Sequence, residues 1–130
     1  MSAFLLVSAG GFVGANVRYG ISLWAARRFG AGFPVGTLIA NLGGSFLMGF
    51  ALGLLAGWFD DDRGARLLLA TGFLGAETTF STWTWETMAL IREGQIRDAL
   101  RNLLGSIGLG VIAATLGLVL AWLLTDGLTG

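Results

Sequence analysis

The sequence predicts an all-α integral membrane protein of four transmembrane helices, and three observations carry that prediction. Hydrophobic residues make up 55% of the chain and charged residues only 12%, with a mean hydropathy of +0.76; a soluble domain of this size needs more charge to cover its surface. Four mainly apolar stretches, each long enough to cross a hydrocarbon core at about 20 residues per helix, alternate with short polar turns. Glycine accounts for 22 of 130 residues against a single proline, a balance that suits close helix–helix approach better than a flexible linker.

The first span is expected at about 3–26, ending at Arg27 and Arg28. Without a charged leading region or a clear cleavage site, and running through Arg18, this stretch reads as a membrane helix and not as a signal peptide. After "RRFGAGFP", Pro34 opens the second span, about 34–59, in the first turn where a missing N–H matters least. The acidic run Asp60, Asp61, Asp62 follows. The third span is expected at about 64–91, and "REGQIRDALR" then makes a polar connection into an amphipathic start of the fourth, about 98–124. A single membrane domain over 1–130 is expected, with no water-soluble domain left over.

Function classes narrow by absence. The sequence has no cysteine and no histidine, which removes disulfides, thiol catalysis, most zinc sites and the commonest general base. No nucleophile–base pair stands out, so enzymatic activity is not expected. Net charge is zero, and no basic block points to nucleic acid. Glycine pairs four apart, Gly10 with Gly14 and Gly49 with Gly53 and Gly57, mark packed faces. Four short helices enclose little by themselves, so an oligomer is expected. Arginines at 27, 28, 92, 97 and 101 fall on one side and those at 63 and 66 on the other, a modest bias toward external termini.

The polar residues inside the spans carry the functional expectation. Thr37, Asn41, Ser45 and Met48 share one face of the second span, and Asn102, Ser106 and Gly110 one face of the fourth. A central asparagine in a bilayer is unfavourable unless partnered. Serine and threonine more often bond back to their own helix. Arg18 reads as a structural anchor, although a charge at membrane depth always raises a functional question. The stretch "GFLGAETTFSTWTWE", Gly72 to Glu86, is the most unusual. Its glycine, alanine and hydroxylic residues are a poor prescription for continuous helix, so the third helix is expected to break. A break frees backbone groups that are tolerable only beside an ion, a wet cavity or neighbouring side chains. Phe80 and Trp83, three apart, then project together, and the positive edge of an aromatic ring can face an anion.

These same residues resemble the CrcB/Fluc fluoride channel family. "GFLGAETTFSTWTWE" is similar to the family's third-helix motif, "GGFVGANVRYGIS" to its first helix, "GTLIANLGGSFLMGF" to its second and "RNLLGSIGLGVIAATLGL" to its fourth, so the resemblance covers nearly the whole chain. It implies a dual-topology antiparallel homodimer with two pores, each built from both chains, in the cytoplasmic (inner) membrane, lowering cytoplasmic fluoride by passive, selective permeation. On this resemblance Asn41 lines the fluoride route, Phe80 and Trp83 form the aromatic pair, and Thr79, Ser81, Thr82 and Ser106 supply hydroxyls. Backbone carbonyls of Gly75 and Thr78 from both subunits would hold a structural Na+ that is not transported.

Three positions depart from the family pattern directly: Trp83 stands where phenylalanine is usual, Ala76 where a second glycine is common, and Glu77 where the residue is normally apolar. Asn102 falls where some members carry tyrosine. An ionised Glu77 would repel fluoride or bind the sodium, whereas a protonated one could donate a hydrogen bond; a pH-sensitive or proton-coupled permeation through Glu77 is therefore an alternative reading. Glu86 matches a family glutamate and is expected to cap or pair near the far end. A small multidrug-type exporter and a non-transporting assembly subunit are further alternatives. The first places its essential glutamate in helix one, where this chain has Arg18 and no acid; the second leaves Asn41 and the Thr/Ser cluster without a role.

Overall fold

The computed structural model of the chain describes residues 2–30, 32–57 and 63–129. Among these the architecture is all helical: α1 (Ala3–Phe29), α2 (Val35–Gly57), a short α3 (Arg63–Ala65), a wide-turn π-helix (Arg66–Leu74), α4 (Gly75–Glu77), α5 (Phe80–Arg92) and α6 (Ile96–Thr129). Three of these helices, α1, α2 and α6, are long and apolar enough to cross a membrane. The segment from α3 to α5 falls into pieces too short to do so singly. The acidic run Asp60, Asp61, Asp62 and the expected end of the second span at Phe59 lie outside the described residues.

Local chemistry sets the helix ends. Arg27 and Arg28 fall inside the last turn of α1, where cations meet the negative end of the helix dipole. Gly30 then turns the chain with φ 78° while its N–H closes on the Ala26 carbonyl, a conformation that favours glycine. Pro34 precedes α2, and its carbonyl accepts from the Leu38 amide at 3.1 Å. Between α5 and α6 the turn is only Glu93, Gly94 and Gln95. Gly94 takes φ 76°, and the Gln95 amide reaches back to the Leu90 carbonyl at 2.8 Å. Most of the polar stretch "REGQIRDALR" is therefore already helix, with Asp98 in the first turn of α6 and paired to Arg101 at 2.9 Å.

The helices pack as two close pairs, α1 against the π-helix and α4, and α2 against α6, joined by α1–α2 and α5–α6 contacts. Small residues make both pairs. A Cβ on Gly10 would run into the Leu68 carbonyl, and one on Gly14 into the Phe73 carbonyl. On the other seam, a Cβ on Gly49 would strike the Ala114 carbonyl, and one on Gly117 the Phe46 carbonyl. Backbone-to-backbone contact of this kind is how helices associate where lipid offers no hydrophobic drive.

Burial is inverted relative to a soluble protein. Most buried residues are small or polar, among them Ala25, Ala40, Ala99 and Ala121 with Thr37, Thr87 and Asn102, while Leu74 and Leu90 are the larger apolar exceptions. Large apolar side chains such as Phe12, Leu104, Val111 and Leu116 face outward. That distribution suits a surface solvated by lipid.

Candidate functional site

The site forms where α2 meets the interruption between α4 and α5. Thr78 (φ −84°, ψ 150°) and Thr79 (φ −147°, ψ 123°) are extended, so two residues of strand-like backbone separate Gly75–Glu77 from Phe80–Arg92. Asn41 on α2 serves this stretch with both ends of its amide. Its Oδ1 accepts from the Thr79 N–H at 2.9 Å, and its Nδ2 donates to the Thr79 carbonyl at 3.3 Å. One side chain thus imitates the neighbouring strand that an extended peptide requires.

Two backbone carbonyls lose their helical donors as a result. The Thr79 amide, four residues beyond Gly75, donates to Asn41. The Thr82 amide, four residues beyond Thr78, donates to the Thr79 hydroxyl at 3.3 Å as the N-cap bond of α5. The carbonyls of Gly75 and Thr78 are therefore not closed by the amides that an unbroken helix would bring to them. Neutral oxygens of this kind are the donor set a hard monovalent cation takes, so the residues present fit such an ion.

Beside the interruption lies an open groove of about 410 Å³. α2 contributes Asn41, Ser45 and Met48 to its wall; Thr78, Thr79, Phe80 and Trp83 come from the interruption and α5; Ser106 and Ile107 come from α6. Phe80 and Trp83 pair with ring centroids 5.2 Å apart and planes tilted by 55°. Phe80 is 76% exposed, standing at the open side. The lining contains no charged side chain. Its polar capacity consists of hydroxyls, an amide and aromatic edges, groups that can replace the water of a small anion without trapping it behind a fixed cation.

Of the residues expected from sequence, Asn41, Thr79, Phe80, Trp83 and Ser106 come together in this groove, joined by Thr78. Ser81 and Thr82 stand behind Thr79, whose hydroxyl lies 3.2 Å from each of theirs. Gly75 lies outside the lining. Glu77 lies outside it too: it is 3% exposed and occupies a notch against α2, where a Cβ on Gly44 would meet its Oε2. That oxygen has no hydrogen-bond partner among the described residues. Arg18 lies one turn beyond Gly14, the α1 residue that packs on Phe73 and Glu77. Glu86 sits one end away, accepting from the Thr37 hydroxyl at 2.8 Å and lining a separate cavity of about 260 Å³ with Glu93 and Ser22.

Sequence reasoning did not assign Ser45 and Met48 to the site, although their shared face with Asn41 was the available signal. Ile107 had none. Nor did it find the partners of Trp83, whose indole N–H donates to the Asn102 carbonyl at 3.1 Å; that pairing spans 19 residues and two helices.

Comparison with known proteins places the sequence in a family. The sequence profile of the family described as CrcB-like protein, Camphor Resistance (CrcB), matches residues 5–118. Among curated relatives, the chain is 45% identical over 113 residues to a protein of Roseiflexus sp. (strain RS-1) named "Fluoride-specific ion channel FluC", covering 87% of this chain and 91% of the relative. It is 46% identical over 115 residues to the protein of that name from Thermus thermophilus, covering 88% and 89%. With the one from Chlorobium phaeobacteroides (strain BS1) it shares 47% over 120 residues, covering 92% and 93%.

Proposed function

Since the chain belongs to the CrcB-like family, we propose that it is a fluoride-specific ion channel of the cytoplasmic membrane that lets fluoride leave the cell passively. The observation that carries this reading is the groove at the Thr78–Thr79 interruption, walled by hydroxyls, the Asn41 amide and the Phe80–Trp83 pair, with no charged side chain in its lining. Fluoride is small and strongly hydrated, so its path must offer donors in place of water and must not hold it too firmly. The hydroxyls of Ser45 and Ser106, the second N–H of Asn41 and the ring edges of Phe80 and Trp83 are such donors. Ser81 and Thr82 orient the Thr79 hydroxyl.

We read the stretch from Arg63 to Arg92 as a third membrane-spanning element broken at Thr78 and Thr79. An antiparallel homodimer of dual topology is the assembly we propose around it. The open side of the groove and the exposed Phe80 support a second copy there, completing each path with residues of both chains. The Gly75 and Thr78 carbonyls, relieved of their helical donors, would hold a structural Na+ at the centre of that dimer. Bound there, the ion supplies positive charge that offsets burial of an anion nearby. Passive permeation is favoured over a proton-coupled route because Glu77 is turned into the α2 notch and away from the groove lining.

Purified protein in liposomes loaded with potassium fluoride, with a potassium ionophore to balance charge, tests the reading with a fluoride electrode. Rapid fluoride release with chloride retained in a parallel sample is the expected result. Vesicles that stay tight to fluoride overturn it.

A further inference from the structure

We propose that Glu77 turns the cation site at the Gly75 and Thr78 carbonyls into a divalent site, one that takes calcium in preference to sodium. The inference rests on the ion and dimer reading above and changes which ion this chain holds most tightly.

The first observation is the state of the side chain. Glu77 is 3% exposed, and its Oε2 is buried with no hydrogen-bond partner among the described residues. Two helices close on it. A Cβ on Gly14 of α1 would stand 3.2 Å from the Glu77 amide nitrogen, and one on Gly44 of α2 would meet the Glu77 Oε2 and the Thr78 Cγ2. Arg18, the cation one turn beyond Gly14, is half-buried and leaves that oxygen without a bond. A carboxylate enclosed in this way is unfavourable unless a positive charge stands close by.

The second observation is position. α4 is only Gly75–Glu77, and Thr78 follows it in extended conformation. Glu77 therefore sits in the chain between the two residues whose carbonyls are left without helical donors, since the Thr79 and Thr82 amides turn to the Asn41 and Thr79 side chains. Its Cα is about 3.8 Å from that of Thr78, the fixed spacing of neighbouring residues. Among the described residues no group of three or more carboxylates offers a competing site.

Charge then selects the ion. Neutral carbonyls suit a hard cation of either charge. Calcium takes roughly six to eight oxygens in flexible geometry, whereas magnesium dehydrates reluctantly. A site shared by two copies of the chain brings two Glu77 carboxylates near one ion. With sodium, those carboxylates outweigh the ion beside an anion path; with calcium, the charges cancel. The attraction to each carboxylate doubles when the charge of the ion doubles. Glu77 acts as a charge beside the site, and the carbonyls remain its ligands.

Thermal unfolding in detergent tests the proposal, in fluoride-free buffer whose other cation is large and organic, with a chelator setting free calcium. The reading is the concentration of calcium or sodium that raises the transition halfway. For the native protein, calcium is expected to act at a concentration about tenfold or more below that of sodium. Glu77→Gln keeps the shape and removes the charge. It is expected to raise the calcium midpoint about a hundredfold and the sodium midpoint about tenfold, since doubling the charge squares the factor. Glu77→Leu is expected to do the same. Should neither variant fold, equilibrium dialysis of the native protein with radioactive calcium is expected to find one ion per two chains, and no bound calcium overturns the inference. Native protein that responds to sodium but no more strongly to calcium overturns it and leaves the sodium reading intact. A calcium response that survives both substitutions unchanged belongs to other carboxylates and overturns it too. Native protein indifferent to both ions overturns the ion site as well, and the permeation reading is then judged by fluoride release alone.

Discussion

Replacing Asn41 by alanine removes the one side chain that satisfies the extended peptide at Thr79. Two bonds disappear, at 2.9 and 3.3 Å, and the part-buried Thr79 N–H and carbonyl are left without these partners. Hydrogen bonds between membrane helices average about 0.6 kcal/mol each, and bonds in proteins generally about 1 kcal/mol, with more lost when a buried peptide group is left unpaired. Together these place the loss at about 1–3 kcal/mol. The alternative open to the segment is to rewind, with the Thr79 amide returning to the Gly75 carbonyl. If only the interrupted form conducts, its equilibrium with the rewound form shifts by roughly 5- to 150-fold, and fluoride flux falls by up to that factor. The assay is initial fluoride release from liposomes at matched protein density, with size-exclusion profiles confirming that the variant is intact. Asn41→Asp is a sharper control: its carboxylate still accepts from the Thr79 N–H but cannot donate to the carbonyl, and it brings negative charge to the groove, so its flux falls at least as far. An intact Asn41→Ala channel that conducts within about twofold of the native one would refute the assignment of Asn41 to the interruption.

Three further outcomes follow from the packing and the ion chemistry. Gly49→Ala drives a methyl into the Ala114 carbonyl and should lower stability by about 1–3 kcal/mol, seen as an earlier thermal transition in detergent; Gly105→Ala, where nothing lies within 4 Å, should leave the transition in place. Thr37→Val removes the donor to Glu86 Oε1 and should destabilise by about 1–3 kcal/mol, the range for leaving a buried polar group without its partner, with Thr37→Ser restoring most of it. Exchanging sodium for a large organic cation during purification should lower the melting temperature by about 5 °C or more, the scale expected when a ligand that binds only the folded state is withdrawn; an unchanged transition would argue against a structural Na+ at the Gly75 and Thr78 carbonyls.

Much of the architecture is legible in the chain because a bilayer imposes simple rules. Backbone groups must be paired within each spanning segment, so long apolar stretches become helices, and α1, α2 and α6 follow directly from hydropathy. The face of Thr37, Asn41, Ser45 and Met48 is readable from helical spacing, since the period holds wherever the helix is unbroken. Glycines at four-residue spacing announce close packing. They do not name the partner: that Gly10 and Gly14 press on the π-helix while Gly49 presses on α6 is set by how the helices cross. The interruption is only half legible. Its poor helix formers are visible in "GAETTFST", but the side chain that holds it open comes from 38 residues away.

What the sequence determined by itself was therefore the class of protein, the helical segments and the polar faces, all consequences of local spacing and of a solvent that cannot hydrogen-bond. The tertiary structure alone decided three pairings: Asn41 with the Thr79 peptide, Trp83 with the Asn102 carbonyl, and Glu77 with the notch at Gly44 in place of the groove. Each pairing depends on the rotation and height of one helix against another. Those are fixed jointly by small-residue contacts spread along the whole interface, and no local stretch of sequence contains them.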